Sequence, residues 1–339
     1  MAAHQSAAAR GWVRTQAQGR RQVLPQLRIG GRMSWGTAID LFAGAGGFTA
    51  GAAQAGVRVL WAANHWQAAV QSHADNHPDT EHSCQDLHQA DWSRVPAHDI
   101  LLASPACQGH SRARGADRPH HDATRSTAWA VVSCAEIHKP PVVVVENVVD
   151  FLRWQLYPIW RQAMEALGYS VAPHIIDAAD HGVPQHRRRV FLVCTRTRSP
   201  LALNMERRTH VSAASFIRFN DGNWSAIHKP GRADATKARI RSGRERFGDR
   251  FVMPYYSNGS GRTGRALTRP IGTLTTNDRW GVVDGDRTRM LMASESRDAM
   301  GFPPTYQLPD NHKQATKMLG NAVCPPVACD LLAEIRKAA

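Results

Sequence analysis

Thr37-Ala38-Ile39-Asp40-Leu41-Phe42-Ala43-Gly44-Ala45-Gly46-Gly47 is an apolar strand that runs straight into a glycine turn. Residues 48–55 open a helix, and 57–62 are apolar enough for the next strand. Strand, tight turn, helix and strand is the unit from which open α/β sheets are built. The same alternation continues outward. Residues 67–76 are helical and stop near His77-Pro78. Residues 99–103 and 142–145 run apolar without alternation, as buried parallel strands do. Helices are expected over 127–137 and 157–167, the second capped by Gly168. Strands are expected over 169–177 and 190–194. The pattern predicts an α/β protein with a doubly wound, mostly parallel sheet.

In such sheets ligands bind beyond the C-terminal ends of the strands. Two strands end there in reactive groups. Strand 99–103 leads into Ser104-Pro105-Ala106-Cys107-Gln108-Gly109-His110-Ser111, a turn carrying a thiol, and strand 142–145 leads into Glu146-Asn147-Val148. A thiol and a carboxylic acid on one rim can divide an addition between nucleophile and proton donor. Four valines before Glu146 predict a desolvated carboxyl that keeps its proton to higher pH. Gln185-His186-Arg187-Arg188-Arg189 opens strand 190–194, and Arg187 and Arg189 point the same way along extended chain. Each piece also has a plain structural reading: a small buried thiol, a strand-end carboxylate, a solvated charged turn. The glycine turn lets backbone approach a ligand and offers N–H groups to an anionic end. A polar ribose partner about 20 residues further on falls at Asn64, followed by His65.

Charge placement separates the chain into parts. The net charge is +14, with six Arg and no acidic residue in 1–32 and fifteen Lys/Arg against five Asp/Glu in 195–268. The remainder, which carries the reactive strand ends, is therefore near neutral, as in an enzyme with a separate polyanion-gripping module. Residues 1–32 lack apolar periodicity and read as a flexible basic arm. Residues 33–194 read as a catalytic and cofactor-binding domain, 195–268 as a recognition domain, and 269–339 as a return to the first with a terminal helix. No run of about 18 apolar residues predicts a membrane span, and no apolar segment near the start predicts a secretory signal. Six cysteines without CxxC spacing suit a reducing compartment. His73, His77 and His82 come without a cysteine pair, so no metal site is expected.

Taken together, six blocks resemble the cytosine-5 DNA methyltransferases: Asp40-Leu-Phe-Ala-Gly-Ala-Gly-Gly47, Pro105-Ala-Cys107-Gln108, Glu146-Asn-Val148, Gln185-x-Arg187-x-Arg189, Arg269-Pro-x-x-Thr273 and Gly320-Asn321-Ala-Val323. They follow that family's order and span most of the chain. The resemblance implies transfer of a methyl group from S-adenosyl-L-methionine to C5 of a cytosine flipped out of double-stranded DNA. It implies that Cys107 attacks C6 and that Glu146 protonates or hydrogen-bonds N3. Gln185, Arg187 and Arg189 would frame the pocket, with Arg189 touching the base. Asp40, Phe42, Gly44, Gly46, Gly47, Asn64, His65, Asp86, Pro105 and Asn321 would line the cofactor site, Asp86 at the adenine amino group. Gln108, Ser111 and Thr273 would face DNA, as would Arg239, Arg241, Arg244 and Arg246 as phosphate anchors. The chain departs from the family pattern at Ala106, where the family has Pro, and at Asn64, where it has Glu.

The resemblance also implies a bacterial or phage-encoded cytoplasmic enzyme that works on DNA as a monomer, with a cognate restriction endonuclease as candidate partner. Two other readings stand beside it. One is a tRNA methyltransferase on the same scaffold, whose usual Cys-Phe-Thr tripeptide is absent here. The other is a DNA-binding protein that keeps the fold without the reaction, against which Cys107, Glu146 and Arg189 are all present.

Overall fold

The computed structural model describes residues 36–106, 127–255 and 264–338. The arm 1–32, Cys107, Gln108 and Ser111 lie outside the described residues. The first strand, β1 (Thr37–Leu41), gives way through the glycine turn to α1 (Gly47–Gln54). There follow β2 (Arg58–Asn64), α2 (Gln67–Asn76), β3 (Glu81–Cys84), β4 (Ile100–Ala103), α3 (Ala128–His138), β5 (Val142–Asn147), α4 (Tyr157–Ala166), β6 (Ser170–Asp177) and β7 (Arg188–Thr195). They form one seven-stranded sheet in the order β3-β2-β1-β4-β5-β7-β6.

The five strands from β3 to β5 are parallel, and β7 lies antiparallel between β5 and β6. That reversal matters for the rim. Asn147, at the end of β5, pairs with Val190 near the start of β7, so Glu146 and Arg189 arrive at the same edge from opposite chain directions. Val142 to Val145 are all fully buried because both faces of the sheet are covered. The edge strand β3 is the one sheet strand the sequence does not announce. Its residues, Glu81-His82-Ser83-Cys84, are exposed or half-buried and bring no apolar pattern.

A second, antiparallel sheet follows. It contains β8 (Ser225–Ala226), β9 (Arg250–Pro254), β10 (Arg265–Ala266), β11 (Trp280–Asp284) and β12 (Arg287–Met290), in the order β10-β9-β11-β12-β8. Helix α5 (Asp234–Phe247) covers it, around Ile227, Ile240, Phe251, Met253 and Val283. The sheet therefore runs past the expected boundary at residue 268: β10 pairs with only two residues of β9, and β11 pairs with all five.

The chain then returns through α6 (Ala293–Ala299), α7 (His312–Asn321) and α8 (Pro325–Ala338). Arg289 joins β12 to α6 by a two-pronged pair to Glu295, 2.7 Å on each prong, with both side chains buried. Together α7 and α8 are as long and apolar as a membrane span, but they are two helices and 67% of the most apolar window is buried inside the protein. That apolarity is explained by core packing, chiefly of α8 on α1.

Candidate functional site

The glycine turn takes its shape from backbone geometry. Gly44 and Gly46 have φ of +56° and +75°, the left-handed region that glycine enters without steric penalty. Gly47 has a different reason to be glycine. A Cβ there would stand 2.0 Å from the Val323 carbonyl oxygen, so its absence lets α1 begin against the return segment. That packing requirement acts on the Cβ position of Gly47 and stands beside the role expected of its backbone.

Asp40 also lies beneath the turn. It is fully buried, accepts a 2.8 Å bond from Thr49 Oγ1, and leaves Oδ1 unpartnered. Burial pushes its carboxyl up to about 7, against the opposing pull of Thr49. With no exposed surface, its side chain supports the turn from within.

Phe42, Asn64, His65 and Asp86 do stand along the open rim. Phe42 is half-buried at φ +59°, His65 and Asp86 are exposed, and Asn64 ends β2 half-buried. Asn64 Oδ1 accepts from Trp66 N at 2.9 Å, which leaves its Nδ2 donor to reach outward. A Glu at this place would offer acceptors to ribose hydroxyls; Asn64 offers a donor. Asp86 Oδ1 accepts from His88 N at 3.0 Å, leaving a second carboxylate oxygen suited to an amino group. A turn without side chains, an amide and a carboxylate along three successive strand ends fit an adenosyl cofactor. Asn321 is exposed at the end of α7, on the return segment that Gly47 approaches.

The second half of the site lies at the ends of β4 and β5. Pro105, two residues before Cys107, accepts a 3.2 Å bond from Asn147 Nδ2, both atoms buried. Ser104 N donates to Leu41 O at 3.1 Å. The last described residues before the thiol are thereby tied to the glycine turn on one side and to the Glu146 strand on the other. Sequence reasoning misses Asn147, although it adjoins Glu146, because nothing local distinguishes it from a cap.

Glu146 is 6% exposed, and its Oε1 lies 3.1 Å from Arg189 Nε. Burial pushes its carboxyl up, while Arg189 and then Arg187 pull it back. The net rise leaves a carboxyl able to hold a proton in a site that also contains a guanidinium. Ile176, Phe191, Val323 and Cys324 complete the walls of the pocket beside it.

Gln185 and Arg187 act differently from Arg189. Gln185 is fully buried, accepts from Leu274 N at 2.8 Å and donates to Ala299 O at 3.0 Å. Arg187 is 3% exposed and donates to the carbonyls of Leu274, Gly320 and Ala322 at 2.9–3.1 Å. Arg187 touches the pocket, but its guanidinium is committed to holding the return segment, and Gln185 does not line the pocket at all. Both side chains tie the pocket's strand to distant backbone, Arg187 while also lining the pocket. Thr273 Oγ1 donates to His186 O at 2.8 Å.

The expected phosphate anchors on α5 divide by what they touch. Arg239 stacks 5.2 Å from the Tyr255 ring and bonds Pro254 O, and Arg244 bonds Gly285 O and Asp286. Both fasten the helix to its own sheet. Arg241 and Arg246 are exposed. Arg246 and Phe247 line an open groove with Arg265, Arg269 and His186, so three exposed guanidiniums face one channel beside the strand that carries Arg189. Arg265 and Arg269 are not legible as a set in the sequence, because they meet Arg246 only through the fold.

Comparison with known proteins agrees with this geometry. Residues 36–337 match the family model described as C-5 cytosine-specific DNA methylase. The chain is similar to the Type II methyltransferase M.NlaX of Neisseria lactamica, 27% identical over 318 residues, covering 89% of this chain and 96% of that one. It is similar to M.HhaI of Haemophilus parahaemolyticus, 26% identical over 300 residues, covering 84% and 89%. Similarity to M.AgeI of Thalassovita gelatinovora reaches 34% over 165 residues, covering 45% of this chain and 38% of that protein. Among solved structures, Spodoptera frugiperda DNMT2 superposes with a TM-score of 0.64 at 16% identity, covering 88% and 98%. The Entamoeba histolytica methyltransferase EhMeth superposes with 0.64 at 15%, covering 89% and 98%. Those two likenesses are of fold.

Proposed function

The chain belongs to the C-5 cytosine-specific DNA methylases and is a DNA cytosine-5 methyltransferase; from that premise we propose that it modifies one cytosine within a specific double-stranded site through a transient bond from Cys107 to C6. The supporting observation is the Glu146–Arg189 pair at a buried strand end whose next residue, Asn147, holds the carbonyl of Pro105.

The chemistry follows from the base. C5 of cytosine is a weak nucleophile. The Cys107 thiolate adds to C6, and Glu146 gives its proton to N3, so the electron pair of the C5–C6 bond becomes available at C5 as an enamine. Arg189 holds the Glu146 carboxyl in place and balances the charge it gains. The Gly44–Gly46 turn, Phe42, Asn64, His65, Asp86, Pro105 and Asn321 would hold S-adenosyl-L-methionine, whose sulfonium would supply an electrophilic methyl group to that carbon and leave as the neutral thioether S-adenosyl-L-homocysteine. Loss of the C5 proton to a base then restores the double bond and expels the thiolate. The thiol must meet C6 from the face of the ring, so the cytosine leaves the duplex stack.

The groove of Arg246, Arg265 and Arg269 holds DNA phosphates, and residues 195–268 with the rest of the second sheet choose the site. Arg241, exposed on the same helix, with Gln108, Ser111 and Thr273, belongs to that DNA side. The enzyme works as a cytoplasmic monomer, and a restriction endonuclease reading the same sequence is the partner that gives such methylation a purpose.

A duplex library containing 5-fluorocytosine tests the reaction, because fluorine cannot leave C5 as a proton does. Wild type with cofactor should form an SDS-stable adduct, and Cys107→Ala should form none. Adduct formation by Cys107→Ala would overturn the assignment. Bisulfite sequencing of DNA from expressing cells then identifies the methylated site.

A further inference from the structure

Behind the glycine turn, on the side away from the open rim, lies a cluster that the methyl-transfer chemistry does not use. His73 projects from α2, His77 caps its C-terminal end, His82 comes from β3 and Tyr306 from the segment between α6 and α7. The ring centroids of His73 and His77 are 4.7 Å apart, those of His73 and His82 4.9 Å, and those of His77 and Tyr306 5.7 Å. These rings wall the back of Gly46. A Cβ on Gly46 would lie 2.6 Å from the Tyr306 hydroxyl and 3.0 Å from both His73 and His77.

The hydrogen-bond directions follow by elimination. Tyr306 OH donates to the Ala45 carbonyl in the turn at 2.5 Å, so the hydroxyl must accept from His77 Nε2 at 3.0 Å. Thr49 Oγ1 donates to Asp40, so it must accept from His73 Nε2 at 3.1 Å. That assignment leaves Nδ1 of His73 as an acceptor, filled by Nε2 of His82 at 2.7 Å. A single directed chain therefore runs His82 to His73 to Thr49 to Asp40, and a second runs His77 to Tyr306 to Ala45. The first chain requires a neutral imidazole at His73, whose Nδ1 must accept; His82 and His77 enter their chains only as donors.

We propose that His73, His77, His82 and Tyr306 form a proton-sensitive brace that holds the Ala45–Gly46 turn in its cofactor-binding shape and releases it when the cluster takes up a proton. The inference rests on the reading of that turn as the cofactor site. The groups that face His73 are His77 at the C-terminal end of its own helix, His82 on β3, Thr49 on α1, and Asp40 on β1 through Thr49; Tyr306 faces His77. A proton arriving on His73 Nδ1 puts two N–H donors face to face at 2.7 Å, which breaks the His82 contact. It also places a cation behind the start of α1, where the helix dipole is already positive, and beneath a site for a sulfonium. Burial lowers the proton affinity of all three imidazoles: His73 well below its ordinary value, His77 to about 4, and His82 in the same direction. The neighbouring imidazoles lower His73 and His77 further. The brace is therefore intact from neutrality through mild acid and fails only near and below the pH of about 4 at which His77 takes its proton.

Calorimetric binding of S-adenosyl-L-methionine to the full chain, from about pH 8 down to about pH 4, tests this. Wild type should lose affinity at low pH by up to about tenfold per pH unit for each proton taken up. His77→Gln and His82→Gln keep an N–H donor and cannot titrate. Each should bind nearly as wild type at the upper pH and show a flatter decline. Tyr306→Phe removes the bond to Ala45 and should bind several-fold more weakly across the whole range. Circular dichroism at each pH separates release of the turn from unfolding. Affinity independent of pH in folded wild type, or an undiminished decline in both Gln variants, would overturn the brace. Absence of binding at about pH 8 is a different result, which overturns the cofactor assignment of the turn and the brace with it.

Discussion

The side-chain amide of Asn147 donates to the carbonyl of Pro105 at 3.2 Å, and both atoms are buried. The bond ties the strand that ends in the acid to the loop that leads to the thiol, two residues further on. Asn147→Ala should slow methylation and 5-fluorocytosine trapping by about tenfold or more, since small losses of alignment are expensive in rate. Its cofactor affinity should stay near wild type. Single-turnover kinetics with calorimetry on the same variant checks both halves.

Glu146→Gln preserves the shape and removes the transferable proton. Its rate should fall by about 10²–10⁴-fold. Stability should move the other way. Burial raises the folded-state proton affinity of Glu146 above its ordinary value of 4.5. The raised group therefore favours the fold below that value, and the advantage is lost as pH rises through its folded pKa. Gln carries no charge to lose, so Glu146→Gln should melt no lower than wild type near neutral pH. A Tm clearly below wild type would show that attraction to Arg189 outweighs burial.

Arg187→Lys should destabilise the whole protein. Three backbone carbonyls from two segments lose a shared planar donor, and a buried cation is left poorly satisfied, a loss of about 3–5 kcal/mol. Denaturant titration should show the loss in the absence of DNA and cofactor. Arg189→Lys, at the edge of the pocket, should keep more of the stability and lose more of the rate.

Gly47→Ala places a methyl group where the Val323 carbonyl stands. The start of α1 and the return segment must separate, at about 1–3 kcal/mol. Thermal unfolding should show this even in buffer without ligand, which a pure loss of cofactor contact would not produce.

Neutralising Arg246, Arg265 and Arg269 together should weaken binding to all duplexes alike and reduce the salt slope of log K by about 3. Arg239→Ala and Arg244→Ala should instead loosen α5 from its sheet, visible as a lowered Tm. Fluorescence anisotropy across a salt series separates the two groups.

Much of the fold and part of the site are legible in the chain itself. β1, β2, β4 and β5 announce themselves because a strand covered on both faces must be apolar at every position, as Val142 to Val145 are. The glycine turn and Glu146 stand out because each follows such a strand directly. β3 carries no signal, since an edge strand of Glu81-His82-Ser83-Cys84 is held by pairing to β2 alone. The recognition boundary expected at 268 falls inside a sheet for a related reason. Charge composition changes there, but the backbone of β9 needs β11, and hydrogen-bond pairing ignores composition.

Local chemistry is therefore settled along the chain: which strand ends carry a carboxyl, a glycine turn and a run of arginines, and in what order. Which arginine faces the pocket is not. Arg187 and Arg189 are two residues apart and chemically identical. One meets carbonyls 87 to 135 residues away, and the other meets Glu146 across a strand pair. Gly46 and Gly47 meet Tyr306 and Val323 in the same way. A side chain's type is written in the sequence, but its desolvation and its partners come from segments that meet only when the return helices close over α1. Desolvation is what turns a charged residue into a strut and its neighbour into a reagent.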